Sequence, residues 1–210
     1  MHRVLRFERA QRMKEYIRNL APGVFLQELI NRPGSVGAIC PSSRFLASSM
    51  ARQVPVEGDG LVVELGAGTG VVTQALLKRG IPVQDLLVIE FSPVFVQRLR
   101  QRFQGLNIVH GNAADLCQLV PPERKIKAIV SSLPLCSLPP TVTRVILQQW
   151  QTLLPPHGVA VQFSYHLREP KWREHLDAQR THSKIVWANL PPANISTFSF
   201  KGSSLNTPAS

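Results

Sequence analysis

The chain has 210 residues, 44% hydrophobic and 18% charged, which suits one domain with a developed core and excludes a disordered polypeptide. No apolar run approaches the roughly 18 residues that a membrane-spanning helix needs, and the scattered Cys40, Cys117 and Cys136 form neither a CxxC pair nor a zinc spacing, so no metal is expected. Lys and Arg number 24 against 13 acidic residues, a formal charge of +11 that favours a polyanionic partner, either nucleic acid or an anionic membrane face.

Residues 3–30 read as helical, with a break near Ala21, Pro22 and Gly23. Val4, Phe7, Ala10, Met13, Ile17 and Leu20 recur every three or four positions, and Arg3, Arg6, Arg9, Arg12, Lys14 and Arg18 lie between them. Such a basic amphipathic helix packs on its own domain or lies on an anionic membrane. It lacks the apolar core of a secretory signal, and with scattered, reduced thiols this sets the expectation of a cytoplasmic protein. Phe25, Leu26, Leu29 and Ile30 form a second short apolar face, which ends at Pro33-Gly34.

From residue 61 strands and helices alternate. Leu61–Leu65 is an apolar strand that runs into glycines, and Val71–Arg79 is a helix closed by Gly80. Leu86–Glu90 is the second strand, followed by a helix over residues 93–103. Asn107–Val109 and Ile126–Ser131 are the third and fourth strands, a helix is expected over Val142–Leu153, and Val159–Phe163 is the fifth strand. Residues 166–182 are polar and read as a surface helix with loop. Lys184–Ala188 and Ser196–Phe200 are read as two last strands, a hairpin-like edge around Pro191-Pro192. Continuous apolar strands separated by helices define an α/β, doubly wound, mostly parallel sheet of seven strands, covered on both faces. The Ser/Thr/Pro-rich end, residues 203–210, is expected to be a flexible tail.

The strongest local signal is Glu64-Leu65-Gly66-Ala67-Gly68-Thr69-Gly70, between a strand and a helix. Glycines there let a ligand approach backbone N–H groups, although a tight turn needs glycine for its own sake. The spacing is GxGxG, not the GxGxxG of dinucleotide folds. An acidic residue before the first glycine would repel a pyrophosphate, so a ligand with a cationic centre fits better. Glu90 ends the second strand, where a carboxylate can accept two ribose hydroxyls, and Ser131 ends the fourth. After the third strand, Asn112 and Asp115 are placed to bond an adenine amino group, although turn formation explains Gly111 and Asn112 equally well.

Together these features resemble class I S-adenosylmethionine-dependent methyltransferases, a Rossmann-like fold, over about residues 36–200. The resemblance implies S-adenosylmethionine as cofactor, its methionine end along Gly66, Ala67, Gly68 and Gly70, its ribose on Glu90 beside Phe91, and its adenine bordered by Asn112 and Ala113, with Glu64 and Ser131 completing the site. A narrower resemblance rests on 25–29, Gly37-Ala38-Ile39-Cys40-Pro41-Ser42-Ser43-Arg44, Val130-Ser131-Ser132-Leu133-Pro134, Gln162-Phe163-Ser164-Tyr165 and 189–193. These are similar to bacterial phospholipid N-methyltransferases, which methylate phosphatidylethanolamine stepwise towards phosphatidylcholine. It implies that residues 1–35 are a membrane-contacting segment ahead of a methyltransferase domain at 36–202, and that Ser42 and Ser43 close over the cofactor. It implies a phospholipid substrate on an anionic membrane surface and a peripheral place on the inner face of the cell membrane. Leu133 and Pro134 then form the substrate loop, and Tyr165 is the candidate for holding or relaying the amine proton.

The alternatives are an rRNA adenine N6-methyltransferase-like enzyme or a methyltransferase of another small amine. RNA suits the charge. Adenine-modifying enzymes, however, place Asn or Asp and an aromatic residue after the fourth strand to hold and stack the flipped base, where this chain has Ser131-Ser132-Leu133-Pro134-Leu135.

Overall fold

The structure, a computed structural model, describes residues 44–165, 170–188 and 192–200. The basic helix expected over 3–20, Ser42, Ser43 and the tail lie outside the described residues. Helix α1 (Arg44–Ala51) leads to β1 (Leu61–Leu65), α2 (Val71–Arg79), β2 (Leu86–Glu90), α3 (Pro93–Arg102) and β3 (Asn107–His110). Then come α4 (Leu116–Leu119), β4 (Ile126–Ser131), α5 (Pro140–Leu153), β5 (Val159–Ser164), β6 (Ala178–Val186) and β7 (Ala193–Phe200).

The seven strands are ordered β3-β2-β1-β4-β5-β7-β6. The first five are parallel, and β7 runs antiparallel between β5 and β6. The chain winds outward from β1 in one direction and from β4 in the other, so a crevice opens beyond the carboxyl ends of those two strands. Alternation along the strands divides the core in two. Val62, Val88, Val130 and Val161 face Leu46, Met50, Leu76 and Leu99 of the helices on one side. Val63, Leu65, Ile89 and Ile129 face Leu116, Ile146, Leu147 and Trp150 on the other.

The five parallel strands and three of the helices lie within two residues of where the sequence places them. Helix α5 starts at Pro140, two residues early, because proline has no N–H to lose in the first turn. The stretch 166–182 is corrected. Lys171–His175 is a short 3-10 turn, and β6 already begins at Ala178 instead of Lys184. Gln179 to Ile185 are exposed on both faces of this edge strand, so all but Ile185 are polar, and pairing with β7 rather than burial makes them a strand. Helix α1 was not foreseen, although Leu46, Ala47, Met50 and Ala51 carry its buried stripe.

Gly70 caps α2 at φ 79°, and a Cβ there would lie 2.5 Å from the Phe103 ring and 2.8 Å from a Leu99 methyl. Gly70→Ala is expected to lower stability by about 2 kcal/mol in urea unfolding, from left-handed strain plus overpacking.

Candidate active site

The glycine loop leaves β1 directly beneath the crevice. The Gly66 amide donates to the Ile89 carbonyl at 2.9 Å, which ties the loop to β2. Gly68 has φ 54°, and a Cβ built on it would meet nothing within 4 Å, so the loop turns an open face to the crevice there. Ala67 is buried beneath it.

Glu90 braces this loop. One carboxylate oxygen accepts from the Gly68 amide and the other from the Ser92 amide, both at 2.8 Å. A carboxylate offers about four acceptor positions, so two remain for hydroxyl donors. Glu90 is only 4% exposed. Its own carbonyl accepts from the Gly111 amide, and the Phe91 carbonyl lies 2.8 Å from Nε2 of His110, so the ends of β2 and β3 are tied together.

Glu64 is the odd residue. It is fully buried on β1, an inner strand of the sheet, and neither carboxylate oxygen has a hydrogen-bond partner. Burial raises its pKa to about 8. Nearby Thr73 lowers it and repulsion from Glu90 raises it further, yet the Thr73 hydroxyl completes no hydrogen bond. A buried, unpartnered carboxylate beside an anion-braced loop suits a cation. The ammonium and sulfonium of S-adenosylmethionine meet that requirement, and a dinucleotide pyrophosphate does not.

The loop after β4 closes the other side. The Ser132 amide donates to the Leu65 carbonyl at 2.9 Å, and the Leu133 methyl would lie 3.0 Å from a Cβ on Gly66. Ser131 is buried, and its hydroxyl accepts from the Leu133 amide at 3.3 Å. Leu133 and Pro134 are half-buried. The Leu133 carbonyl accepts from Nε2 of Gln162 at 3.0 Å, and Oε1 of Gln162 is buried without a partner. Gln162 does not figure among the site residues expected from the sequence. Only its place across from Ser131 on β5 reveals its role. Tyr165, just past β5, is half-buried and stacks edge-on to Phe163 at 5.4 Å.

The structure therefore brings Glu64, Gly66, Gly68, Glu90, Ser131 and Leu133 to one crevice. Asn112 is exposed, and its side-chain oxygen caps the following turn by accepting from the Ala114 amide at 3.0 Å. Ala113 is buried against the α4 side of the sheet, and Asp115 is exposed.

Residues 62–158 match a family described as a methyltransferase domain. An ornithine lipid N-methyltransferase of Singulisphaera acidiphila is 31% identical over 180 residues, 81% of this chain and 91% of that protein. A trans-aconitate 2-methyltransferase of Methylobacterium radiotolerans is 32% identical over 60% of the chain and 46% of its own length. Among solved structures, the N-methyltransferase NodS of Bradyrhizobium japonicum superposes with TM-score 0.61 at 17% identity, over 77% of this chain and 97% of its own. The magnesium protoporphyrin IX methyltransferase of Synechocystis, solved with S-adenosylmethionine bound, superposes with TM-score 0.66 at 11% identity, over 87% and 98%. Fold and site thus define an S-adenosylmethionine-dependent methyltransferase. The chain belongs to that class I family, and within it is an N-methyltransferase resembling the lipid-modifying members.

The state of Glu64 is open to titration. Its raised pKa means that the folded protein holds a proton which the unfolded chain releases above about pH 4.5, so stability falls as pH rises from there to about 8. Glu64→Gln is expected to remove that fall, raising stability at pH 8.5 by several kcal/mol and changing it far less at pH 5, as followed by thermal unfolding without cofactor. In the native protein a cationic cofactor favours ionised Glu64. Calorimetry near pH 7 in buffers of different ionisation enthalpy should therefore show proton release on binding.

Proposed function

We propose that the chain methylates the amine of phosphatidylethanolamine, stepwise towards phosphatidylcholine, at the surface of an anionic membrane. The observation that carries this reading is the loop after β4. Leu133 lies against Gly66, and the segment Ser131 to Leu135 offers neither an amide or carboxylate to hold a base nor an aromatic ring to stack on it. A small aliphatic amine fits such a loop better than adenine does. The likeness to an ornithine lipid N-methyltransferase over most of both chains supports a lipid acceptor.

On this reading S-adenosylmethionine supplies an electrophilic methyl group on a cationic sulfur. Glu64 balances its positive charge, the Gly66–Gly70 loop lines its methionine end, and the free acceptor positions of Glu90 take its ribose beside Phe91. Ser131 sits behind the methionine end, and Asn112 and Ala113 border the adenine. Leu133 and Pro134 place the acceptor nitrogen in line with the methyl group and keep water out. Phosphatidylethanolamine arrives protonated, so its amine must first lose a proton. Tyr165, at the lip of the crevice, holds or relays that proton, and its ring next to Phe163 favours increasingly methylated ammonium products.

Methyl transfer from radiolabelled S-adenosylmethionine tests the assignment, with vesicles of phosphatidylethanolamine and anionic lipid, vesicles carrying an ornithine lipid, and bulk rRNA offered side by side. Label in phosphatidylethanolamine is expected, and Tyr165→Phe should slow it about tenfold or more with little change in cofactor affinity. Label confined to the ornithine lipid would move the acceptor to that lipid. Label in RNA would overturn the reading.

A further inference from the structure

The carboxyl ends of the strands open on a rim that methyl transfer itself does not use. Trp187 directly follows β6 and is 71% exposed, and Phe45 in the first turn of α1 is 66% exposed. The register puts Trp187 at the carboxyl edge of the sheet, the edge on which the site opens, on the outermost strand and three strands or about 14 Å from β4. Ser164, the last residue of β5, pairs with Asn194, and Asn194 pairs with Ile185. Trp187 thus stands two residues beyond the level of Ser164, two strands or about 10 Å to the side.

Helix α1 brings Phe45 to the same edge. The chain after α1 runs to the opposite edge of the sheet, where the Val56 and Gly58 carbonyls accept from Nζ of Lys127 near the start of β4, at 3.1 and 2.7 Å. Between these points, Oε1 of Gln53 accepts from the Thr197 hydroxyl, midway along β7, at 3.5 Å. The first turn of α1 therefore faces the carboxyl edge. Leu46, beside Phe45, shares one apolar cluster with Tyr165, Ala193 and Val186, the neighbour of Trp187.

The chemistry of the rim is consistent along its length. Ile185 adds a third exposed apolar side chain, at 36%. Arg44 and Lys184 are exposed beside these residues. No Asp or Glu occurs between Leu29 and Val56, or anywhere from Ala178 to the end of the chain. The nearest acidic residues of the hairpin, Glu174 and Asp177, precede β6 at its far end, where Ala178 pairs with Phe200. Large apolar side chains, tryptophan among them, with cations and no acidic group in the two stretches that carry them, match the headgroup layer of an anionic bilayer. An RNA surface would ask for more cations and fewer aliphatic groups.

We propose that Phe45, Ile185 and Trp187, flanked by Arg44 and Lys184, seat the mouth of the active site in the interface of an anionic bilayer. The rim is separate from the basic segment at residues 3–20, and its role rests on the reading that the acceptor is a membrane lipid. Docking by this edge turns the crevice towards the headgroups, so the acceptor amine need only rise a short way out of the layer.

Intrinsic fluorescence tests it in the full-length chain. Trp150 and Trp172 are buried, so among the three tryptophans Trp187 reports contact with lipid. Vesicles of phosphatidylglycerol and phosphatidylethanolamine should shift its emission to the blue, shield it from acrylamide and expose it to a quencher carried on the acyl chains. The double variant Phe45→Ser, Trp187→Ser should lose roughly tenfold or more in methyl transfer to vesicle lipid, while transfer to short-chain phosphatidylethanolamine dispersed as monomers stays unchanged. Trp187 remaining open to acrylamide on vesicle-bound protein would overturn the proposal. So would emission already blue without lipid, which would mean that another part of the chain or a second copy covers the rim, and so would a shift caused by RNA alone. If vesicles bury Trp187 but no lipid is methylated, the substrate assignment fails and the docking surface stands. If lipid is methylated with Trp187 in water, the docking surface fails and the assignment stands.

Discussion

Glu64 sits on an inner strand of a seven-stranded sheet with no donor for either of its oxygens. Every residue of β1 is buried, and the strand's alternation sends Glu64 to the same face as Val62, among apolar side chains. A carboxylate in such a place is tolerated in its neutral form or with a cation beside it. A stability-driven core would hold valine there. That the fold keeps an acid instead means that part of its stability is exchanged for a charge partner that arrives from outside. The adjoining Glu90 shows the contrast, because two backbone amides already satisfy it and it serves as structure before any ligand comes.

Around this pair the loops are fastened to each other. Glu90 links the glycine loop to the start of α3 through the Gly68 and Ser92 amides. The Leu65 carbonyl accepts from the Ser132 amide, and Gln162 holds the Leu133 carbonyl from the next strand. Leu133 in turn packs so close to Gly66 that a methyl group on the glycine would press on it. The glycine loop and the loop after β4 thus form one assembly, tied to β1, β2, β4 and β5 together. A direct displacement depends on the angle and separation of two reactants, and on the proposed reading both would be set by backbone already in place.

What the sequence made legible follows from where each residue is buried. Strands β1, β2 and β4 are covered on both faces, so each is an almost wholly apolar run whose ends the sequence marks. Strand β6 carries no such mark, since its middle is exposed on both sides and its pairing is a property of the backbone. The glycine loop and Glu90 were readable from spacing along the chain, because a turn and a strand end are local features. Gln162 acts across 29 residues on a carbonyl, which no spacing announces. Asn112 is a second case. Its side-chain oxygen caps the next turn by accepting from the Ala114 amide, a contact that its place after a strand does not reveal and that leaves its side-chain NH2 for the adenine edge on the proposed reading.

The environment that isolates Glu64 also bears on the acceptor. An apolar surround penalises whichever protonation state carries charge, so it keeps a lone carboxyl protonated and drives a lone ammonium to give up its proton. Leu133 and Pro134 are half-buried, Leu135 is buried, and the Ser132 hydroxyl lies buried without a partner beside them. On the proposed reading, an ammonium brought against this loop leaves water for a surface with little to solvate it. Desolvation then does part of the work usually given to a strong base, and a neighbouring phenol needs only to pass the proton outward. The cations of the rim act in the same sense, since positive charge near the mouth favours the neutral amine over the ammonium. On that reading, basic charge at the edge and apolar character within serve one end, to gather lipid at an anionic surface and present its nitrogen uncharged.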